Sequence, residues 1–224
     1  MQVLDEPSAG TTLFHEVNED SENARGRQRL RDRLREATVR EILVATQEIL
    51  VENGLEHATM AKIAERAGVA VGTLYNRFAD RDELIEVLLA ERRADLLRKL
   101  DESMASLEKA GFREQLLGFF TTLFTHMDEH RPFLKLVFAK EIGGQEGRER
   151  MHRAMFDRLE SILKRGQREK LLRRDADHCF ALTLFWSAKG TAEREAHGLP
   201  PLSPAQAARS VVGLFLDGAA REAR

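Results

Sequence analysis

The sequence predicts an all-α protein, and three observations carry that reading. The chain has 224 residues and only 5 prolines. Long runs of Ala, Leu, Glu and Arg dominate it, and these residues lose little on entering a helix. Apolar residues recur at helical spacing, and no segment carries a strand signal. With 42% hydrophobic and 32% charged residues, the chain is long enough and apolar enough to bury a real core.

Composition also bounds the setting. The single cysteine, Cys179, excludes an internal disulfide and a cysteine-based zinc site, and fits a reducing cytosol. The first 23 residues carry Asp5, Glu6, Glu16, Glu19, Asp20 and Glu22 but no Lys or Arg, the reverse of a secretory leader. No run of about 18 apolar residues exists, so no membrane span is expected and the chain reads as cytoplasmic. The net charge of −2 hides a basic block, Arg25, Arg27, Arg29, Arg31, Arg33, Arg35 and Arg40, set against Asp32 and Glu36. Such a block points either to nucleic acid or to a solvated helix start.

Taken in order, residues 1–23 are polar, acidic and aperiodic, and are expected to form a disordered tail. A helix begins in the arginine block and stops at Asn53-Gly54, with Ile42, Ala45, Ile49 and Leu50 inward. Thr59 caps a short helix holding Ile63 and Ala64. Ala67-Gly68-Val69 makes a turn. A second short helix runs from about Val71 to Phe78, with Leu74 and Phe78 on one face. Asp80 with Glu83 forms a capping box for a longer helix carrying Leu84, Val87 and Leu88. Further helices are expected near 112–129, 133–141, 148–168 and 175–196, with Gly143, Gly144 and Gly147 marking a loop. Ser203 caps the last helix, with Pro204 at its first position and Gln206 completing a capping box, and that helix runs to about 221.

Thr59 to Phe78 has the proportions of a helix-turn-helix, two short helices packed through Ala64, Ala67 and Leu74. The longer string "EILVATQEILVENGLEHATMAKIAERAGVAVGTLYNRFADRDELIEVLL", Glu41 to Leu89, is more specific. It closely resembles the DNA-binding domain of TetR-family (TetR/AcrR) transcriptional regulators. The resemblance rests on Asn53-Gly54, Thr59, Ile63-Ala64, Ala67-Gly68-Val69, Gly72-Thr73-Leu74-Tyr75, Phe78, Arg81 and Glu83-Leu84. After the acidic tail 1–23 it implies two parts, a DNA-binding domain 24–80 with its basic arm and a helical ligand-binding and dimerisation domain 81–224.

The resemblance also assigns roles. Thr59 would hold a phosphate through its hydroxyl and the helix start behind it. Tyr75 would hydrogen-bond a second phosphate, and Arg81, where the family usually has Lys, would clamp the backbone. Val71, Gly72, Thr73 and Asn76 would face base edges. Arg27 and Arg29 would reach along the backbone or into the minor groove. Plain structural readings stand beside these. Thr59 also caps a helix, Tyr75 can be packing, and Gly72 can serve close packing. Two positions depart from the family. Ala70 stands where Ser often caps the recognition helix, forfeiting roughly 1 kcal/mol. Val71 stands where a polar or basic residue is common. Readout here would then lean on thymine methyls, Thr73 and Asn76.

Beyond residue 89 no comparable motif appears. The segment from Cys179 to Ala188 is apolar nearly all round and reads as a helix buried on two sides. The resemblance implies that this helix and the last one pack against a second subunit through Phe180, Leu184, Ala208, Val212, Phe215 and Ala219, giving a homodimer suited to pseudo-palindromic DNA. Phe120, Phe124, Phe138, Met155, Phe156 and Trp186 are the candidate lining of an apolar pocket, with core packing as the alternative. His126 and His130 lie four apart with Asp128 and Glu129 between them, but no ligand cluster forces a metal, so no cofactor is expected. No phosphate loop, nucleophile elbow or zincin pattern occurs, so the chain reads as no enzyme. The function the resemblance implies is a dimeric transcriptional repressor that binds double-stranded DNA and is released by a small apolar effector. The alternative is a helical protein-interaction module.

Overall fold

The computed structural model describes the backbone of residues 11–140, 142–172 and 178–219, with side chains from residue 25 onward except 178, 196, 197 and 217–219. Among these residues every regular element is a helix. They are α1 (Thr11–Asn53), α2 (Met60–Arg66), α3 (Val71–Tyr75), α4 (Arg81–Ser106), α5 (Phe112–Glu129), α6 (Arg131–Ala139), α7 (Gln145–Arg168), α8 (His178–Ala192) and α9 (Pro204–Ala219).

Local chemistry explains most boundaries. Thr59 accepts a hydrogen bond from the Lys62 N–H at 3.3 Å and starts α2. Asp80 accepts from the Glu83 N–H at 2.8 Å and starts α4, while the Glu83 carboxylate turns back to the Ala79 N–H rather than to that of Asp80. At α9 the reciprocal box is present: the Ser203 N–H donates to Gln206 Oε1 at 3.0 Å, and the Gln206 N–H donates to Ser203 Oγ at 3.4 Å.

Several expected bounds shift. α1 is helical from Thr11, inside the segment expected to be an irregular acidic tail; residues 1–10 lie outside the described ones. No proline and only Gly26 interrupts residues 11–53, so nothing in the chain breaks the helix. The arginine block is therefore helical rather than an extended arm. Gln28 donates to Asp32 at 3.0 Å, and Arg35 pairs with Asp32 at 3.8 Å, one turn apart. α6 starts at Arg131, with Pro132 in its first turn. Gly147 lies within α7, buried beneath the Arg93 side chain, rather than in the preceding loop.

Two hydrophobic cores result. The N-terminal core joins Ile42, Leu43, Ile49 and Leu50 of α1 with Ile63 and Ala64 of α2, Leu74 and Phe78, and Leu84, Ile85, Leu88 and Leu89 of α4. The C-terminal core joins Leu96 and Leu100 of α4 with Phe112, Leu116, Phe119, Phe120 and Leu123 of α5, Leu159, Ile162 and Leu163 of α7, and the inward faces of α8 and α9. α4 thus serves both, changing core between Leu89 and Leu96. α6 crosses over as well. Its Phe133 is fully buried in the N-terminal core, with Leu134, Leu136 and Val137 packed beside it.

Candidate nucleic-acid interface and ligand cavity

α2 and α3 meet at a turn that needs glycine. Gly68 has φ +67°, the left-handed region, directly after α2. The Val69 N–H then reaches Ala64 O at 3.0 Å and the Gly68 N–H reaches Glu65 O at 3.2 Å, closing the helix with a Schellman motif. Arg66 ties α2 to α1, donating to Glu48 at 3.1 Å and to Glu52 at 2.6 Å. The hydrogen bond from Arg66 holds the Glu52 carboxyl below its usual range, and the same two carboxylates raise the Arg66 guanidinium.

α3 is short, Val71–Tyr75, and continues as a turn in which the Phe78 N–H donates to Leu74 O at 2.8 Å. Ala70 is its N-cap and offers no side-chain hydrogen bond. Leu74 and Phe78 are buried, as their spacing predicts. On the opposite side Val71 is 40% and Tyr75 56% exposed, with Gly72 and Asn76 also open to solvent and Thr73 half-buried. A Cβ on Gly72 would meet no atom of the described residues within 4 Å, so nothing among them needs that glycine. Thr59 is exposed at the start of α2, and Val71, Gly72, Tyr75 and Asn76 are exposed along α3. Arg81 is already engaged, donating to Leu55 O at 3.1 Å and to Asp82 Oδ1 at 3.0 Å. Its first work is to anchor α4 to the segment after α1. Arg27 and Arg29 are exposed on α1.

A cavity of about 390 Å³ opens between α5, α6, the end of α8 and the start of α9. Phe124, Met127, Leu134, Phe138, Leu202 and Ala207 supply apolar lining, and Arg131, Lys135 and Glu195 supply charge. Lys135 donates to Glu195 at 2.9 Å and Arg131 to the same carboxylate at 2.8 Å. Two of the six residues expected in the pocket, Phe124 and Phe138, line this cavity. Phe120 and Met155 are buried in the C-terminal core, and Phe156 packs against Phe185 with ring centroids 5.1 Å apart. Trp186 points outward at 56% exposure. Aromatic spacing along α5 and α7 marks burial, but it does not say which buried face meets a void.

Residues 42–88 match the model of the family described as "Bacterial regulatory proteins, tetR family". That segment, from the second half of α1 to the first half of α4, carries the family's signature. The fatty acid metabolism regulator protein of Bacillus subtilis (strain 168) is 33% identical over 76 residues, which cover 34% of this chain and only 38% of that protein. The HTH-type transcriptional repressor KstR2 of Mycobacterium tuberculosis (strain CDC 1551 / Oshkosh) is 24% identical over 190 residues, 81% of this chain and 92% of that one. Among solved structures, the transcriptional regulator FadR from Bacillus subtilis in complex with stearoyl-CoA superposes with a TM-score of 0.67 at 23% identity, over 80% of this chain and 97% of that chain. At that identity the likeness is one of fold.

Most of the expected dimer residues pack within the single chain. Leu184, Ala208, Val212 and Phe215 are buried inside the single chain, and Phe180 stacks edge-on against Phe215 with centroids 5.7 Å apart. The Ala219 side chain lies outside the described residues. The apolar stripe of α9 faces its own core because α5 and α8 cover it. The outer faces of the last two helices carry Thr183, Trp186 and Gly190 on α8, and Arg209, Ser210 and Leu214 on α9, with Leu214 71% exposed. No helix of the described residues is long and apolar enough to cross a membrane.

The fold also brings Asp95 to the two histidines that sequence spacing had placed one turn apart. Asp95 of α4, His126 of α5 and His130 at the end of α5 each place a ligand-type atom within 4.8 Å of the others. Burial, then His130 and Lys99, push the His126 imidazole down to about 4, so it is neutral near pH 7. Asp95 is 31 residues before His126, and only the packing of α4 on α5 brings it in.

Proposed function

We propose that the chain is a DNA-binding transcriptional repressor that acts as a homodimer and is released from its operator by a small, largely apolar effector. The observation that carries the reading is the shared position of α6. One face, through Phe133, belongs to the core of the helix-turn-helix domain. Another face, through Leu134, Lys135, Phe138 and Ala139, lines the cavity. A ligand that fills the cavity displaces α6, and α6 cannot move without disturbing the packing of α1 and α4 behind α2 and α3. Binding then biases the spacing of two recognition helices across a dimer.

In this reading Thr59 and Tyr75 contact phosphates, and Val71, Gly72, Thr73 and Asn76 approach the major groove. Arg81 braces α4 and offers charge to the backbone. Arg27 or Arg29 meets the duplex backbone, since the two lie on different sides of helical α1, and a helix of this width does not enter the minor groove as an extended arm does. Residues 24–80 and the N-terminal half of α4 act as the DNA-binding unit, and the rest as the effector and dimer unit. The dimer forms on the outer faces of α8 and α9, around Trp186 and Leu214.

The acyl chain of a long-chain acyl-CoA is the apolar group to test first in the cavity, with the anionic coenzyme A portion outside it. Similar proteins from Bacillus subtilis and Clostridium perfringens are named for fatty acid metabolism, and a FadR from Bacillus subtilis was solved with stearoyl-CoA. The cavity pairs an apolar lining with Arg131 and Lys135. The test is displacement from a selected duplex, followed by fluorescence anisotropy, with long-chain acyl-CoA and with free coenzyme A. Release by the acylated form alone supports the reading, and retention of DNA at saturating acyl-CoA contradicts that choice of effector. A helical protein-interaction module remains the competing reading, and it predicts no preference among duplexes.

A further inference from the structure

The cluster of Asp95, His126 and His130 does not touch the cavity and plays no part in the DNA reading. His126 is 4% exposed, yet its Nδ1 has no hydrogen-bond partner, and the buried Nδ1 of His130 has none either. The two rings stand edge to face with centroids 4.6 Å apart. Asp95 Oδ2 lies 3.6 Å from His126 Nδ1, too long for a hydrogen bond. Buried polar atoms are normally satisfied, so two such nitrogens on adjacent rings beside a carboxylate call for an explanation.

We propose that Asp95, His126 and His130 form a binding site for a divalent transition-metal cation. The chemistry of the set supports this over other occupants. Two imidazoles and one carboxylate suit zinc and its neighbours, whereas calcium and magnesium prefer oxygen alone. His126 and His130 are one helical turn apart, so both rings project from the same face of α5. Ligands across one ion stand up to about 4.4 Å apart when each is about 2.2 Å from it. The present limit of 4.8 Å is reached from there by small side-chain rotations. Three protein ligands leave a position for water or another donor.

One group opposes the ion and sharpens the test. Lys99 Nζ sits 3.2 Å from Asp95 Oδ2 and 2.8 Å from Glu129 Oε2. Arg98 holds the other oxygen, Oδ1, at 2.5 Å. The ion must therefore take Oδ2 from Lys99, which keeps Glu129 as its partner. Arg92 also faces His130 electrostatically, while its own Nε donates to Gln47 at 2.7 Å. Because His130 ends α5 and precedes α6, an ion here would pin the start of α6 to α4.

The full chain, stripped with chelator, is titrated with Zn²⁺ by calorimetry and with Co²⁺ by visible absorption. We expect one ion per chain and a Co²⁺ spectrum of low-symmetry nitrogen and oxygen ligation. Asp95→Asn and His130→Gln each weaken binding by at least about tenfold, and Lys99→Met tightens it. A melting temperature that rises with Zn²⁺ in the parent chain and not in His130→Gln reads the same site by mass action. His126→Gln is expected to abolish binding, and the two less buried positions keep the test decisive if that variant does not fold. No binding in the parent chain overturns the proposal, and so does binding that both Asp95→Asn and His130→Gln leave unchanged.

Discussion

Gly166 shows how a single missing Cβ is set by packing. A Cβ there would lie 2.8 Å from two ring atoms of Phe112 and 3.0 Å from Leu172. Both neighbours are buried and cannot retreat, so Gly166→Ala should lower stability by about 1–3 kcal/mol in urea unfolding. Ala70 gives the opposite case. Its backbone already has an N-cap conformation, φ −67° and ψ 143°, and lacks only an acceptor. Ala70→Ser should raise stability by about 1 kcal/mol, read as a higher urea midpoint with an unchanged slope. His126 predicts a pH response for the metal-free chain. Its imidazole is held down to about 4 in the fold against an ordinary 6.5. Between those values the unfolded chain binds more protons, so stability falls as pH drops from about 6.5 towards 4. Thermal melts over that range in chelator should show the loss, and His126→Gln should flatten it. At this scale the caps at Thr59, Asp80 and Ser203 were legible because each is decided within four residues. The bond from Arg81 to Leu55 O and the approach of Asp95 to His126 were not. They depend on which helices pack together.

At the scale of elements, legibility divides between periodicity and partnership. The spacing of Leu74 and Phe78 identified the buried face of α3, and the exposed face follows from it. For α8 and α9 the same reasoning found apolar stripes and then assigned them to a second subunit. The stripes are covered by α5 and by each other. A sequence shows that a face is buried and is silent on what buries it. The correction is testable. Phe215→Ala removes a core side chain and should cost about 3–5 kcal/mol of chain stability. Leu214→Glu on the outer face should leave the fold intact, with unchanged far-ultraviolet circular dichroism, and shift the sedimentation profile towards monomer. A Leu214→Glu chain that sediments like the parent would move the dimer surface elsewhere. α1 extends the same lesson. Its charge block was read as an arm, yet pairs such as Arg35 with Asp32 suit a continuing helix.

The whole molecule is two cores held together by α4, which runs through both, and by α6, which leaves the C-terminal part to fill a gap in the N-terminal one. The all-helical class and the helix-turn-helix were visible in the sequence, the first in composition and period, the second in one string of about fifty residues. The cavity was not, because it lies between helix faces contributed by α5, α6, α8 and α9. The central claim is that the α2–α3 surface reads duplex DNA by sequence. The direct measurement is selection from random duplex by the full chain, followed by salt-dependent affinity for the selected and random sequences. The account predicts a two-fold related site bound at least about a thousandfold more tightly than random duplex, with affinity falling steeply as salt rises. Tyr75→Phe should weaken both duplexes alike, and Asn76→Ala should change which sequence is preferred. Equal affinity for every duplex, or none for any, would contradict it.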